Sequence, residues 1–477
     1  MSPSQHRAAS GPQLGHTTVW ILLRDYCNAV TEREPQQNDT NCVSFLCADS
    51  HTFRSGMFKT CLKVISAHLE LAGIHLKPRP LLVLSLEGLT PSALGCYGSS
   101  WNRTPAIDAI ANTGCVWDRW LATDDQPSNM FFQMTQNLNQ TSHWKDKWQT
   151  NGSIDLITDV EQVADQFEKL PFDQMVSLHD RDKEWDKSPA EDIVETQLGQ
   201  LVAAAIERDA EEDDWSILWL HSDFLTRRWD APRYMSLVDE GDQDSLAPSD
   251  EFELLEQENE LIERVEKLPP YFEDLTPPGF QLPDQAHPDL ITSWMRTYGC
   301  QIRLLDVLIE ILLTSLNADD PHVLIVGTSG FQLGQNGWIG HRQGPLRSAD
   351  IRIPLIVSDL GPLHLPQLSG GDTFPNILDQ ISLHSSPEVA NSLIWSPEQW
   401  CRSDEGTSVI TKSDRTAHAV TTPDWFYVQD RDQSEHLYLK PDDIDDFNNV
   451  ARLRPDIVEQ FSIAQKNPAD SGIDGVI

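Results

Sequence analysis

Three short stretches of this chain hold side chains suited to chemistry. Glu87 directly follows the unbroken apolar run Leu81–Leu86. Such a run reads as a parallel strand buried on both faces, and open α/β sheets hold ligands at the carboxyl ends of such strands. Asp124 and Asp125 stand just before Pro127 and a helical pattern. A carboxylate there can attack an ester, or, more plainly, can cap the free N–H groups of the helix that follows. His341, Arg342 and Arg347 form a basic group late in the chain, and Arg227-Arg228 a second one. Together they could receive an oxyanion; singly, each reads as a solvated charge on an acidic protein.

The elements that must position these residues follow from apolar patterning. Residues 154–158, 215–220 and 323–326 read as further buried strands. Gly95, Gly98 and Thr104-Pro105 make a turn into a helix over 106–112. Helical spacing recurs over 159–168, 189–207 and 298–313. Short β-like runs at 408–411, 419–421, 425–428 and 437–439 precede a last helix near 456–464. Residues 1–56 show no sustained period and are expected to be a disordered extension. A lead-in helix is expected over 57–78, with Met57 an alternative start. The main α/β domain is placed at 57–385, with an acidic insertion at 236–290 that carries an amphipathic helix around 252–268. A C-terminal subdomain is placed at 386–477.

The chain has 477 residues, enough for one large α/β domain with a smaller partner. Its 35 basic and 74 acidic residues give a net charge of −39, a field that repels nucleic acid and anionic membrane surfaces. No run approaches the roughly 18 apolar residues of a membrane span, and no secretory leader is visible, so the expectation is a cytoplasmic protein. Eight cysteines without a C-x-x-C pair make neither a disulfide scaffold nor a zinc site.

Beyond these readings, the order of motifs resembles the sulfatase family of the alkaline phosphatase superfamily. That family opens with a strand, D-D, G-C-Y-G and T-P-N-L-D-x-L-A-x-x-G. Here Gly95-Cys96-Tyr97-Gly98, Thr104-Pro105-Ala106-Ile107-Asp108 and Ala111-Asn112-Thr113-Gly114 match in sequence and spacing. Trp229-Asp230, Pro232 and Tyr234 follow the family's W-D-P-P-x-x-Y, and the run from Leu333-Gly334 to Asp350-Ile351-Arg352-Ile353-Pro354-Leu355 matches without gaps. Glu435, Leu437-Tyr438, Asp443, Asp446 and Asn449 follow the family's tail.

The resemblance implies an α/β, alkaline-phosphatase-like sandwich, with a large mostly parallel sheet and a small C-terminal antiparallel subdomain. It also assigns roles that this chain fills with other residues. Asp125 stands where the formylglycine precursor belongs, Asn129 where an arginine does, Thr226 at a histidine and His341 at the active-site lysine. At the metal positions stand Glu87, Gly88, Thr328 and Ser329, of which Glu87 alone is a carboxylate. Hard divalent cations want several oxygen ligands, usually charged, so no cofactor is expected, weak Ca²⁺ or Mg²⁺ binding being the alternative. The resulting expectation is a catalytically inactive or degenerate sulfuric ester hydrolase keeping a residual anion-binding cleft at Arg227, Arg342 and Arg347. One alternative is an active sulfate or phosphate ester hydrolase with Thr123 or Ser128 as nucleophile. Another is a binding or regulatory partner of an active sulfatase. The partner class expected is a small anionic ester or a sulfated sugar, with no nucleic acid and no membrane.

Overall fold

The computed structural model describes residues 79–140, 148–149, 152–179, 188–211, 214–235, 272–283, 288–318, 320–384 and 408–466. The expected extension 1–56, the lead-in helix 57–78 and the insertion's helix near 252–268 lie outside the described residues.

In chain order the strands are β1 Leu81–Leu86, β2 Cys115–Leu121, β3 Ser153–Thr158, β4 Gln174–Ser177, β5 Trp215–Ser222, β6 Gly279–Gln281, β7 His322–Gly327 and β8 Gln332–Leu333. They continue as β9 Trp338–Gly340, β10 Leu355–Val357, β11 Leu363–Gly370, β12 Val409–Ile410, β13 Thr416–Thr421, β14 Trp425–Asp430 and β15 Glu435–Leu439. Eight of them form one sheet in the order β11-β2-β10-β7-β1-β5-β3-β4. All pairings in it are parallel except those of β10, which runs against both β7 and β2. The four strands β12 to β15 make a separate antiparallel sheet, and β6, β9 and β8 a small third one. The α/β architecture expected from the sequence, a large mostly parallel sheet with a small C-terminal antiparallel one, is therefore present.

β1 shows why its sequence is continuously apolar. Leu81 and Val83 enter one core, Leu82, Leu84 and Leu86 the other, so both faces of the pleat are covered. The first core includes the helix Pro127–Gln140; the second takes the helices Pro105–Thr113, Gln197–Asp209 and Pro288–Ser315. The antiparallel sheet is distinct in hydrogen bonding but not in packing. Ala419, Phe426, Val428 and Tyr438 join the first core, while Val420, Tyr427 and Leu437 face Phe461 of the last helix, Pro455–Lys466.

Three helices differ from their expected bounds. That expected at 189–207 is a 3₁₀ turn Ile193–Glu195 followed by the helix Gln197–Asp209, which starts where the Thr196 hydroxyl accepts the Gly199 N–H. The segment expected at 159–168 is helical only over Glu161–Ala164, then makes a 3₁₀ turn Phe167–Lys169. Leu170 precedes Pro171 and is extended (ψ 156°), as the residue before a proline must be. The long helix begins at Pro288, ten residues before the expected 298, with proline at its first position where a missing N–H costs nothing. Among the described residues no helix is long and apolar enough to cross a membrane.

Candidate functional site

The carboxyl edge of the large sheet collects the groups of interest from four adjacent strands. Glu87 follows β1, Thr328 and Ser329 follow β7, Asp223 follows β5 and Asp159 follows β3. The Thr328 N–H donates to the Leu86 carbonyl at 2.9 Å, which places the two would-be metal segments side by side. Gly88 donates its N–H to Ser329 Oγ at 2.9 Å. Its φ of +79° and the 2.6 Å that would separate a Cβ from Thr226 Cγ2 leave no room for an aspartate at this position.

Glu87 is buried, and its contacts are not those of a metal ligand. Oε1 lies 3.8 Å from His221 Nε2, and neither atom has a hydrogen-bond partner. Oε2 is 3.5 Å from the Thr226 hydroxyl. Burial, then the charges of Asp223 and Asp159, push the Glu87 carboxyl well above the usual range, while Thr226 pulls the other way. Burial drives His221 down to about 3, so its ring is neutral. His221 Nδ1 lies 3.1 Å from the Ser85 carbonyl, which can only accept. Nδ1 also lies 2.9 Å from the Ser85 hydroxyl, so Ser85 can meet this nitrogen as a donor through its hydroxyl or as an acceptor through its carbonyl.

Beside this pair, Gln197 ties two carboxylates together. Its Nε2 donates to Asp159 Oδ2 at 2.9 Å and to Asp223 Oδ1 at 2.7 Å. Asp159 also accepts from the Ser222 hydroxyl at 2.7 Å. Burial first and the Asp223 charge second push Asp159 up to about 7. Arg227, 44% exposed in its side chain, lies 3.9 Å from Asp223. Arg228 pairs instead with Asp230 at 3.1 Å.

Asp125 sits in a second constellation. Its side chain is fully buried, and Oδ2 accepts from Arg415 Nε at 2.9 Å and from the Ser413 hydroxyl at 2.8 Å. Oδ1 accepts from Arg342 at 3.3 Å. Arg415 reaches on to Asp350 at 3.2 Å. His341, half-buried beside Arg342 and Arg415, is driven down to about 3 by desolvation and by those two charges. Arg347 is turned away, with its guanidinium 5.7 Å from the Tyr438 ring centre and one N–H on the Leu346 carbonyl.

The helix cap falls to the neighbouring residue. Asp124 Oδ1 accepts the Gln126 N–H at 2.9 Å, and Gln126 opens the helix by accepting from Met130. Asp125 takes no part, because its carboxylate oxygens accept from Arg415, Ser413 and Arg342 instead. Asn129 is exposed, with its amide 3.3 Å from Asp124. Of the two alternative nucleophiles, Thr123 donates to Gln133 Oε1 at 2.6 Å, and Ser128 is buried at the helix start.

The donor set does not fit the family's metal. Glu87 is buried beside a histidine, which disfavours its charged form, Gly88 has no side chain, Thr328 and Ser329 are neutral, and Asp125 is flanked by two guanidiniums that repel a cation. Among the described residues no three His, Cys, Asp or Glu side chains are grouped to hold a metal ion. Sequence reasoning missed His221, Asp159, Asp223, Gln197 and Arg415. Three of these had a signal, since Asp159, His221 and Asp223 end apolar runs as Glu87 does. Arg415 had none; it meets Asp125 across 290 residues.

No protein-family model and no curated protein sequence matches the chain. Solved structures do resemble it. The phosphonate monoester hydrolase of Agrobacterium radiobacter is 14% identical, with a TM-score of 0.55 over 82% of this chain and 94% of that one. A protein solved in complex with its substrate D-glucosamine-2-N,6-O-disulfate is 14% identical, with a TM-score of 0.52 over 84% of this chain and 100% of that one. A 2-O GAG sulfatase is 12% identical, with a TM-score of 0.52 over 82% of this chain and 92% of that one. The chain thus has a sulfatase-like fold.

Proposed function

We propose that this chain is a sulfatase-fold protein that does not hydrolyse sulfate esters by the formylglycine and metal route. The observation that carries the reading is the state of Asp125. At the position that the sequence resemblance gives to the nucleophile, its carboxylate is sealed from solvent and held by Arg415, Arg342 and Ser413. A carboxylate with both oxygens occupied and no open face is a poor attacking group for an anionic ester. Support also comes from Glu87, the one carboxyl at the metal positions, because its burial disfavours the charged form.

Two expected results test the reading. Purified full-length protein, given aryl sulfates and aryl phosphates with Ca²⁺ or Mg²⁺, should show no turnover above the buffer blank. An aldehyde-reactive probe should leave the peptide 122–135 unlabelled; labelling there or metal-dependent turnover would remove the proposal.

The metal is tested by stability as well. A cation that binds only the folded state raises the unfolding midpoint by mass action. Millimolar Ca²⁺ or Mg²⁺ should leave the midpoint within about 1 °C of its starting value. Glu87→Gln, which resembles the protonated acid, should behave the same way with and without cation. A clear cation-dependent rise that vanishes in Glu87→Gln would instead favour a hydrolase with rearranged chemistry.

A further inference from the structure

We propose that Asp125 is a built-in substitute for a bound oxyanion. Its carboxylate occupies an anion site made by Arg342, Arg415 and the Ser413 hydroxyl, and the segment 411–415 keeps it there. A sulfate or phosphate ester group then binds at this site only when that carboxylate is displaced. The proposal rests on the non-hydrolytic reading and says how the same cleft is closed.

The geometry is that of a filled anion site. Three donors from two segments converge on the two oxygens of one side chain, Arg415 and Ser413 at 2.9 and 2.8 Å and Arg342 at 3.3 Å. Charge-assisted bonds of this kind are the strong ones, and guanidinium forks suit carboxylate and tetrahedral oxyanions alike. The donors are not used up. Arg342 Nε is buried without a hydrogen-bond acceptor. A carboxylate offers two oxygens and a sulfate ester group three, so the site has room in its bonding for a larger anion than it holds.

The segment 411–415 acts as the strap. Thr411 Oγ1 donates to the Ala122 carbonyl at 2.8 Å, the Lys412 N–H to Thr123 at 2.9 Å, and the Asp125 N–H to Lys412 at 2.9 Å. Arg415 also donates to the carbonyls of Gln343 and Gly344, both at 3.3 Å. One strap thus fixes the backbone of Asp125, supplies two of its three side-chain donors and binds the loop that bears Arg342.

The test uses inorganic sulfate on the full chain, followed by calorimetric titration and by unfolding midpoint, against sodium chloride at equal ionic strength because sulfate stabilises most proteins unspecifically. Wild type should show no saturable binding. Asp125→Asn removes the charge that Arg342 and Arg415 share, leaving Arg342 with Asp414 and Arg415 with Asp350, and it should bind sulfate saturably, with a midpoint rise of roughly 3–5 °C beyond wild type. The double variant Asp125→Asn/Arg415→Gln should lose that response. Should Asp125→Asn fold poorly, its folded yield is compared with and without sulfate: rescue supports the proposal and no rescue overturns it. Equal responses in wild type and variant, or none in the variant, also overturn it. Turnover of aryl sulfate by wild type, measured on the same samples, would strike the non-hydrolytic reading and leave the sulfate comparison to stand on its own.

Discussion

Arg415→Met should lower the unfolding free energy by about 3–5 kcal/mol, the range found when one partner of a buried ion pair is removed. The guanidinium serves two carboxylates that have almost no contact with water: the side chains of Asp125 and Asp350 are 0% and 1% exposed. After the substitution Asp125 keeps Arg342 at 3.3 Å and Ser413, while Asp350 keeps Gln332 at 2.9 Å and the Arg347 N–H at 3.0 Å. Those hydrogen bonds remain, but a full charge beside Asp125 is gone, and burial already disfavours the charged form of Asp350. Met fills most of the volume, so a cavity contributes little. Arg227→Met is the control, because its carboxylate partner Asp223 lies 3.9 Å away, it meets the Asp159 carbonyl at 3.3 Å, and its side chain is 44% exposed. That change should stay within about 0.5 kcal/mol. Urea unfolding at neutral pH separates the two, and equal losses would mean that the Asp125 network does not hold the strap and the cleft together.

How much of this was legible in the sequence depends on how local each feature is. β1, β5 and β7 announced themselves because a strand covered on both faces is apolar along most of its length, and β3 did so despite Asp155, which is buried against Arg208. β2, with Asp118 and Arg119 partly exposed, breaks that pattern and was not named; β10 has only three residues and was not named either. The adjacency of Glu87 and Thr328 was legible because motif spacing fixed both at strand ends. Asp125 was harder. Its place before Pro127 suggested a cap, but Asp124 meets that need, and what occupies Asp125 comes from residues 342 and 413–415. No local pattern encodes such a pair. The C-terminal strands were legible as strands, whereas their packing on the first core through Ala419, Phe426 and Val428 was not, since alternation tells which residues share a face but not what covers it. The expected residual cleft had been read from Arg227, Arg342 and Arg347 as a set. The structure divides them: Arg342 meets Asp125, Arg347 packs on Tyr438, and Arg227 lies beside Asp223.

Asp159→Asn should flatten the dependence of stability on pH between roughly 4 and 7. In the folded chain burial and the Asp223 charge push the Asp159 carboxyl from 3.8 up to about 7. Between those values the folded state keeps a proton that the unfolded state has released. The unfolding free energy therefore falls as pH rises, being fully supported below about 4 and largely lost above about 7. Three pKa units correspond to something on the order of 4 kcal/mol across that window. The asparagine variant cannot titrate, so most of that slope should go. It should start lower at pH 4, because an amide end would replace one oxygen where Gln197, Ser222 and the Asp223 N–H now all donate. It should then close the gap by pH 8, where wild type carries a buried charge next to Asp223. Asp223, Asp306 (up to about 6) and Glu87 are raised in the same direction, so a remainder of the slope should persist in Asp159→Asn and shrink further when Glu87→Gln is added. Urea midpoints at four pH values decide the matter. If wild type and Asp159→Asn trace parallel curves, the carboxyl edge of β1, β5 and β3 is not the proton-holding cluster that its burial and spacing imply.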